Sequence, residues 1–318
     1  MDTALSTLLS APVLFFGLGL IGALVSVEVR VSENFSKGIA IFLLTAIGLK
    51  GGIALADEGG NGIIAAALAG ILLSAATPFL AYGMLKHMTR FNRREAAALA
   101  AHYGSISIVT FIAASTVLGE AGIAFGAGMV AVAALMEAPA IASGLALAGR
   151  TQEESVPMSK VLKTVIWNES IYLILGALAI GFIIGSEGKA VIAPFFFDPL
   201  QGVLCLFLLD IGVKTGDGLR RDRRVLSPGP LVFGCLMPLI GAALGLGFAT
   251  LIGLSIGNTV LFMTLAASAS YIAVPAAMRI AMPDVQPALY VALPLGVTFP
   301  FNLLIGIPLY VMAATYLG

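Results

Sequence analysis

Long apolar runs separated by brief polar connections make up almost the whole chain. A membrane-crossing helix needs about 20 mostly apolar residues. Ten runs approach that length: 11–29, 38–56, 62–85, 95–118, 123–148, 164–185, 197–216, 229–254, 258–281 and 287–316. The pattern predicts an all-α polytopic membrane protein of ten transmembrane helices, with residues 1–318 forming a single membrane domain and no room for a soluble one.

Two runs are poor ordinary helices. Leu265 to Pro283 carries Ser268, Ser270 and Tyr271 in mid-run and then Pro275. A proline inside a helix removes one backbone hydrogen bond and clashes with the carbonyl four residues back. Hydrocarbon tolerates the freed carbonyl only where protein or a water-filled cavity satisfies it. The stretch therefore predicts a polar, irregular spot inside the membrane. Leu99 to Ala114, with Gly104, Ser105, Ser107 and Thr110, is its sibling in the first half of the chain. Spans four and nine are thus expected to be interrupted helices that cross.

Composition sharpens this picture. The chain has 318 residues, 59% of them hydrophobic and 11% charged, with a mean hydropathy of +1.03. Soluble domains carry about 25% charged residues, so a soluble protein is excluded. The net charge of zero gives no hint of nucleic acid as a partner. The lipid bilayer is the implied surrounding. No basic region precedes the first apolar run, so that span is expected to be retained rather than cleaved. Cys205 and Cys235 lie inside apolar runs and read as buried packing residues.

The placement of charge is more telling. With ten spans, one side collects Arg30, Lys37, Lys86, Arg90, Arg93, Arg94, Arg150, Lys160, Lys163, Arg220, Arg221, Arg223, Arg224 and Arg279, and the other only Lys189. Lys50 and Lys214 fall within span ends. The positive-inside rule makes the crowded side cytoplasmic. The expected placement is multi-pass in a cell (inner) membrane, with both termini outside.

The chain also repeats. Residues 44–52 (LTAIGLKGG) match 208–216 (LLDIGVKTG). Leu99-Ala100-Ala101 with Ile106 matches Leu265-Ala266-Ala267 with Ile272, and Ala138-Pro139 pairs with Phe299-Pro300. The unit is five spans, an odd number, so 1–148 and 164–318 are expected to be inverted repeats. Inverted repeats with interrupted helices in matching places mark secondary transporters.

Candidate chemistry follows from that frame. Half-helix N-termini offer unpaired N–H groups that suit an anion, and unwound carbonyls suit a hard cation such as sodium. Candidate substrate-binding residues are Gly104, Ser105, Ser107, Ser268, Ser270 and Tyr271. The competing reading is that small and hydroxyl residues serve helix packing. Glu137, two residues before Pro139, is a carboxylate in mid-span and so a functional candidate by default. It fits a cation ligand or a proton carrier; alternatively it is a protonated group bonded to backbone that Pro139 frees. Thr110, Thr298 and Asn302 join Glu137 as candidate sodium-binding residues. Asp210 and Lys214 share a helix face and are expected to pair. His102 reads as a packed, hydrogen-bonded residue, with a direct role as the rival reading. No metal-type Cys/His spacing occurs, so no metal beyond sodium is expected. No phosphate loop suggests an ATP-driven pump.

Three functions compete. One is sodium-coupled symport of a small anion. The second is sodium/proton antiport on the same fold, with Glu137 as the titrating group. The third is an intramembrane enzyme using His102 with Ser105 or Ser107; lacking an acid or oxyanion motif, it yields to the reading that there are no catalytic residues.

At these residues the chain resembles the sodium-dependent bicarbonate transporter family. The resemblance runs from about Lys37 to the C-terminus. It is carried by FLLTAIGLKGG (42–52), HYGSISIVTF (102–111), ALMEAPAI (134–141), FFDPLQGVLCLFLLDIGVK (196–214), AASASYIAVPAAMRIAMP (266–283) and IGIPLY (305–310). It implies a ten-helix inverted-repeat fold like that of bile-acid symporters and sodium/proton antiporters. Spans three to five and eight to ten would form a core domain, and spans one, two, six and seven a gate domain. It further implies sodium as the coupling ion, bicarbonate as substrate, no other cofactor, and a homotrimer. By position, Gly104, Ser107, Thr110, Glu137, Ser268, Ser270 and Pro275 fall on the family's binding-region motifs. The chain departs from members that carry bicarbonate, which read Ser-Ser-Ser-Asp-Ile-Ser-Gly-Pro-Pro in span nine. Here an aspartate has become Tyr271 and a serine Ala273, and a Ser-Gly-Ser-Thr run in span four reads Ser107-Ile108-Val109-Thr110. Another small carboxylate thus stays open as substrate. The connection 149–163 is short where regulated members have a long loop, so a PII-like regulator is not assured.

Overall fold

The computed structural model describes residues 11–27, 29, 31–58, 62–126, 128–149, 169–221, 223–271, 273–282 and 284–317. Their regular structure is helical throughout. Arg30, Arg150, Lys160, Lys163, Ile272 and Pro283 lie outside the described residues, as does most of the connection 149–163.

Helix α1 spans Ala11–Leu24, α2 Glu33–Glu58, α3 Ile63–Met88, α4 Arg93–Gly104, α5 Ile108–Glu120, α6 Met129–Leu135 and α7 Glu137–Ala148. The second half holds α8 Glu169–Phe196, α9 Leu200–Arg221, α10 Pro228–Ile252, α11 Ile256–Ala267, α12 Ala273–Ala281 and α13 Pro287–Leu293. The chain ends with α14 Phe299–Phe301 and α15 Ile307–Leu317, joined through two widened turns at Pro294–Thr298 and Asn302–Gly306.

Among the described residues, seven helical stretches are long and apolar enough to cross a membrane: Glu33–Ala56, Ile63–Met88, Arg93–Glu120, Met129–Ala148, Tyr172–Phe196, Pro228–Ile252 and Leu289–Tyr316. Three of the ten expected runs are not among these seven. Helix α1 has 14 described residues. Helix α9 has 22 but carries Asp210, Lys214, Asp217, Arg220 and Arg221. The ninth run is divided, and its first helix, α11, has 12 residues. The sixth run also ends later than expected. Gly185 takes φ 56°, which kinks α8, yet the helix resumes and runs through Lys189 to Phe196. A glycine tolerates such a left-handed residue where a side chain would not.

The repeated segments LTAIGLKGG and LLDIGVKTG explain how the outer helices associate. In α2, Gly48 and Gly52 lie against the α8 backbone at Ile174 and Leu178. In α9, Gly212 and Gly216 lie against α1 at Phe16 and Leu20. A Cβ at any of the four would strike the partner helix. Two glycines four residues apart let helix backbones approach closely where lipid supplies no hydrophobic drive. So α2 rests on α8, and α9 on α1.

The remaining helices surround α4, α5 and α11. α3 contacts α4 and α7, α10 contacts α11, and α3 contacts α10. Every residue from Ala96 to Ala114 is buried, and so is every residue from Thr259 to Tyr271. A helix apolar and buried all round is enclosed by protein rather than lipid. Both interrupted stretches are therefore held inside a protein shell, where irregular backbone is permitted.

Candidate functional site

Both interruptions are present, and they touch. Helix α4 ends at Gly104, and Ser105 leaves it extended, with φ −87° and ψ 176°. Helix α11 ends at Ala267, and Ser268 leaves it in nearly the same way, with φ −86° and ψ 165°. Ser107 then caps α5, its Oγ accepting from the Thr110 N–H at 3.2 Å. Ser270 serves the first turn of α12, its Oγ accepting from the Val274 N–H at 3.4 Å. Serine is favoured at such starts because its oxygen satisfies an N–H that lacks a helical partner.

Two hydrogen bonds stitch the breaks together. The Ser107 N–H donates to Ser268 Oγ at 2.9 Å, and the Ser270 N–H donates to the His102 carbonyl at 2.8 Å. Ser268 Oγ passes its own proton to the Leu265 carbonyl at 2.9 Å. The N-termini of α5 and α12 thus begin at one place, and the positive ends of their dipoles converge there. The α5 N–H groups of Ile108 and Val109 stand outside the ladder, since a helix's first N–H groups have no intrahelical acceptor.

Several polar atoms here have no partner. Ser105 Oγ, Tyr271 Oη, His102 Nε2 and Glu137 Oε2 are buried without a hydrogen bond among the described residues. Such an orphan costs about 1–3 kcal/mol, and most buried polar groups avoid it. Tyr271 is 8% exposed, and its ring meets Phe299 edge-on at 5.9 Å. Its hydroxyl is near Ser107 without reaching hydrogen-bond geometry.

Glu137 begins α7, just after a kink at Met136. Ser74 of α3 sits in the kink: its Oγ donates to the Met136 carbonyl and accepts from the Ala140 N–H at 3.2 Å. Those two backbone groups would bond to each other in an unbroken helix. The serine bridges them beside Pro139, which has no N–H of its own. Glu137 is 7% exposed and lines a cavity of about 10 Å³ with Leu44, Ile106, Ile108, Ala134 and Ile174. A space of roughly 10–15 Å³ admits one water. Ile106 and Ile108 flank Ser107, so the carboxyl sits behind the first break.

The other candidates are placed differently. Tyr103 donates to Thr298 Oγ1 at 2.6 Å, and Thr298 donates to the Gly234 carbonyl at 2.8 Å. Asn302 donates to the Ala267 carbonyl at 2.9 Å, closing the end of α11, and accepts from Tyr310 at 2.7 Å. No hydrogen bond joins Glu137 to either Thr298 or Asn302 among the described residues. Thr110 is buried one turn into α5. Gly104 is a close-approach residue, since a Cβ there would strike the Pro78 ring. Asp210 pairs with Lys214 at 2.7 Å, as their spacing predicts. His102 gives its Nδ1 proton to the Ala98 carbonyl at 2.7 Å and stacks near Tyr290. It makes no bond to Ser105 or Ser107, so no nucleophile–base geometry exists there.

Sequence reasoning missed Ser74 and Tyr103. Ser74 had a faint signal, as a polar residue inside the apolar run 62–85 near Thr77 and Pro78. Tyr103 had none, because its partner lies 195 residues away.

A family model described as the Na+-dependent bicarbonate transporter superfamily matches residues 11–315. The chain belongs to this superfamily. A search among curated proteins returned no significant match. Superfamily membership makes the protein a membrane transporter.

Proposed function

We propose that the protein is a secondary transporter that carries a small anion, bicarbonate foremost, inward together with sodium. The observation that carries this reading is the contact of two buried helix breaks whose Ser105 and Tyr271 hydroxyls lack partners. On this reading those hydroxyls and the N–H groups opening α5 hold the anion. Glu137, with Thr110 and carbonyls of the break, holds sodium as the co-transported ion. Thr298 and Asn302 support the site from behind, by fixing Tyr103 and closing α11.

The proposed architecture is ten spans in two inverted repeats, 1–148 and 164–318. In its favour, the α2–α8 and α9–α1 contacts exchange under such a repeat, and Ser105 and Ser268 end their helices alike, three residues out of the register that aligns Leu99 with Leu265. The proposed moving body is α3–α7 with α10–α15, sliding against α1, α2, α8 and α9. The proposed setting is the cell membrane with the arginine-rich side cytoplasmic, in a homotrimer.

The test is labelled bicarbonate uptake into proteoliposomes with and without an inward sodium gradient. Faster uptake under the gradient is expected, and equal uptake in both would defeat the coupling. Unlabelled formate or acetate in excess would reveal a carboxylate substrate by suppressing uptake. The unpartnered Glu137 carboxyl favours one rival, sodium/proton antiport. A pH dye inside the vesicles that responds to sodium while bicarbonate is absent would favour that rival.

A further inference from the structure

A second cavity lies apart from the crossing, at the end of α2 that carries Lys50. It encloses about 280 Å³ between α2, α5, the connection 121–126, the start of α6 and the start of α9. Ile47, Phe111 and Phe125 make apolar wall, while Lys50, Ser115 and Thr116 are its polar side chains. Both hydroxyls already donate to the Ile112 carbonyl, at 2.8 and 3.0 Å. Lys50 is the single charged side chain of the lining among the described residues.

That charge meets no opposite charge among the described residues. Lys50 is exposed and has no carboxylate partner among the described residues. Its counterpart in the repeated segment, Lys214, is neutralised by Asp210 at 2.7 Å. The position equivalent to Asp210, four residues before Lys50, is Ala46, which is fully buried and apolar. So two copies of one motif place a lysine alike, and only one of them leaves it free.

We propose that Lys50 and this cavity form a capture site for a planar monovalent oxyanion, bicarbonate or a small carboxylate, on its way to the crossing. The inference rests on the transport reading above. A lysine ammonium is a compact charge with three donors, and low-dielectric apolar walls focus its field into the cavity. The volume far exceeds the roughly 10–15 Å³ that one water needs, so the anion enters hydrated. No matching free charge stands at Lys214, so capture works from the Lys50 side alone.

The test is uptake kinetics in proteoliposomes for wild type, Lys50→Gln, Lys50→Arg and a control, Lys86→Gln, on the arginine-rich side. Lys50→Gln is expected to raise KM for bicarbonate about tenfold with kcat within about twofold. Lys50→Arg and Lys86→Gln are expected to keep the wild-type KM. Rising ionic strength should raise KM in the wild type and leave Lys50→Gln unchanged, because screening acts over about 8 Å at physiological salt. An unchanged KM in Lys50→Gln, or equal loss in Lys50→Arg, overturns the site. A second readout needs no transport: acylation of Lys50 by an amine reagent, followed by peptide mass spectrometry. Bicarbonate or acetate should slow it more than chloride at equal ionic strength, and equal slowing by chloride overturns the site. If the anions protect Lys50 but wild type moves none of them, the transport reading fails and the anion site stands.

Discussion

The two helix breaks are nearly equal in backbone and unequal in chemistry. Ser105 and Ser268 leave their helices at almost the same dihedral angles, and Ser107 and Ser270 both serve the helix that follows. Yet beside the first break stands Glu137 with an unpartnered carboxyl oxygen, and beside the second stands Asn302, bonded on both sides. The same inequality separates the free Lys50 from the paired Lys214. The lesson is that the repeated residues build the frame, while the residues that differ between the halves carry the proposed chemistry.

The comparison breaks most sharply at Glu137. Glu137→Ala is expected to lower sodium-driven uptake by about 100-fold or more, the scale of a lost charged contact of roughly 3 kcal/mol. Size-exclusion chromatography should show a folded protein, since no hydrogen bond of the frame is lost. Uptake at wild-type rate would remove Glu137 from the site. Thr298→Val, at the residue that holds Tyr103, should leave the sodium dependence of uptake unchanged and lower thermal stability instead. It strands Tyr103 Oη and the Gly234 carbonyl, costing about 1–3 kcal/mol.

Ser268→Ala comes next. It removes the acceptor of the Ser107 N–H and so leaves one of the two bonds between the breaks. Uptake is expected to fall by about tenfold, from one buried N–H left unpaired. Tyr271→Phe removes only the orphaned hydroxyl and keeps the ring against Phe299. A rise of about three- to tenfold in bicarbonate KM is expected, with melting temperature unchanged or slightly raised, because a buried unpaired group is lost. The smallest effect on transport is expected from Ser74→Ala, which leaves the Met136 carbonyl and the Ala140 N–H unpaired. A thermal melt should show destabilisation of about 1–3 kcal/mol. A change in sodium affinity exceeding that of Glu137→Ala would reverse the ranking.

Much of the frame was legible in the sequence because lipid imposes simple rules. Apolar length marks a crossing helix, and serine next to glycine or proline inside such a run marks a break. The pairing of Asp210 with Lys214 followed from helical spacing alone. What was not legible depended on distant contacts. Nothing at 298 or 302 indicates that Thr298 reaches Tyr103 or that Asn302 closes α11. Pro139 signalled freed backbone with Glu137 as its expected partner, but the residue that bonds there, Ser74, lies 66 positions from Ala140. The count of spans was blurred where function interrupts the pattern, in the charged α9 and in the divided ninth run. The glycine pairs Gly48–Gly52 and Gly212–Gly216 stood in the repeated motif, yet the repeat alone did not reveal which helices they meet.

The most direct test of the central claim is equilibrium binding of labelled bicarbonate to purified protein in sodium. It should compare wild type with the double variant Ser105→Ala/Tyr271→Phe. The account predicts saturable binding by the wild type and its loss in the double variant, with the melting temperature retained. Wild-type binding by the double variant would contradict it.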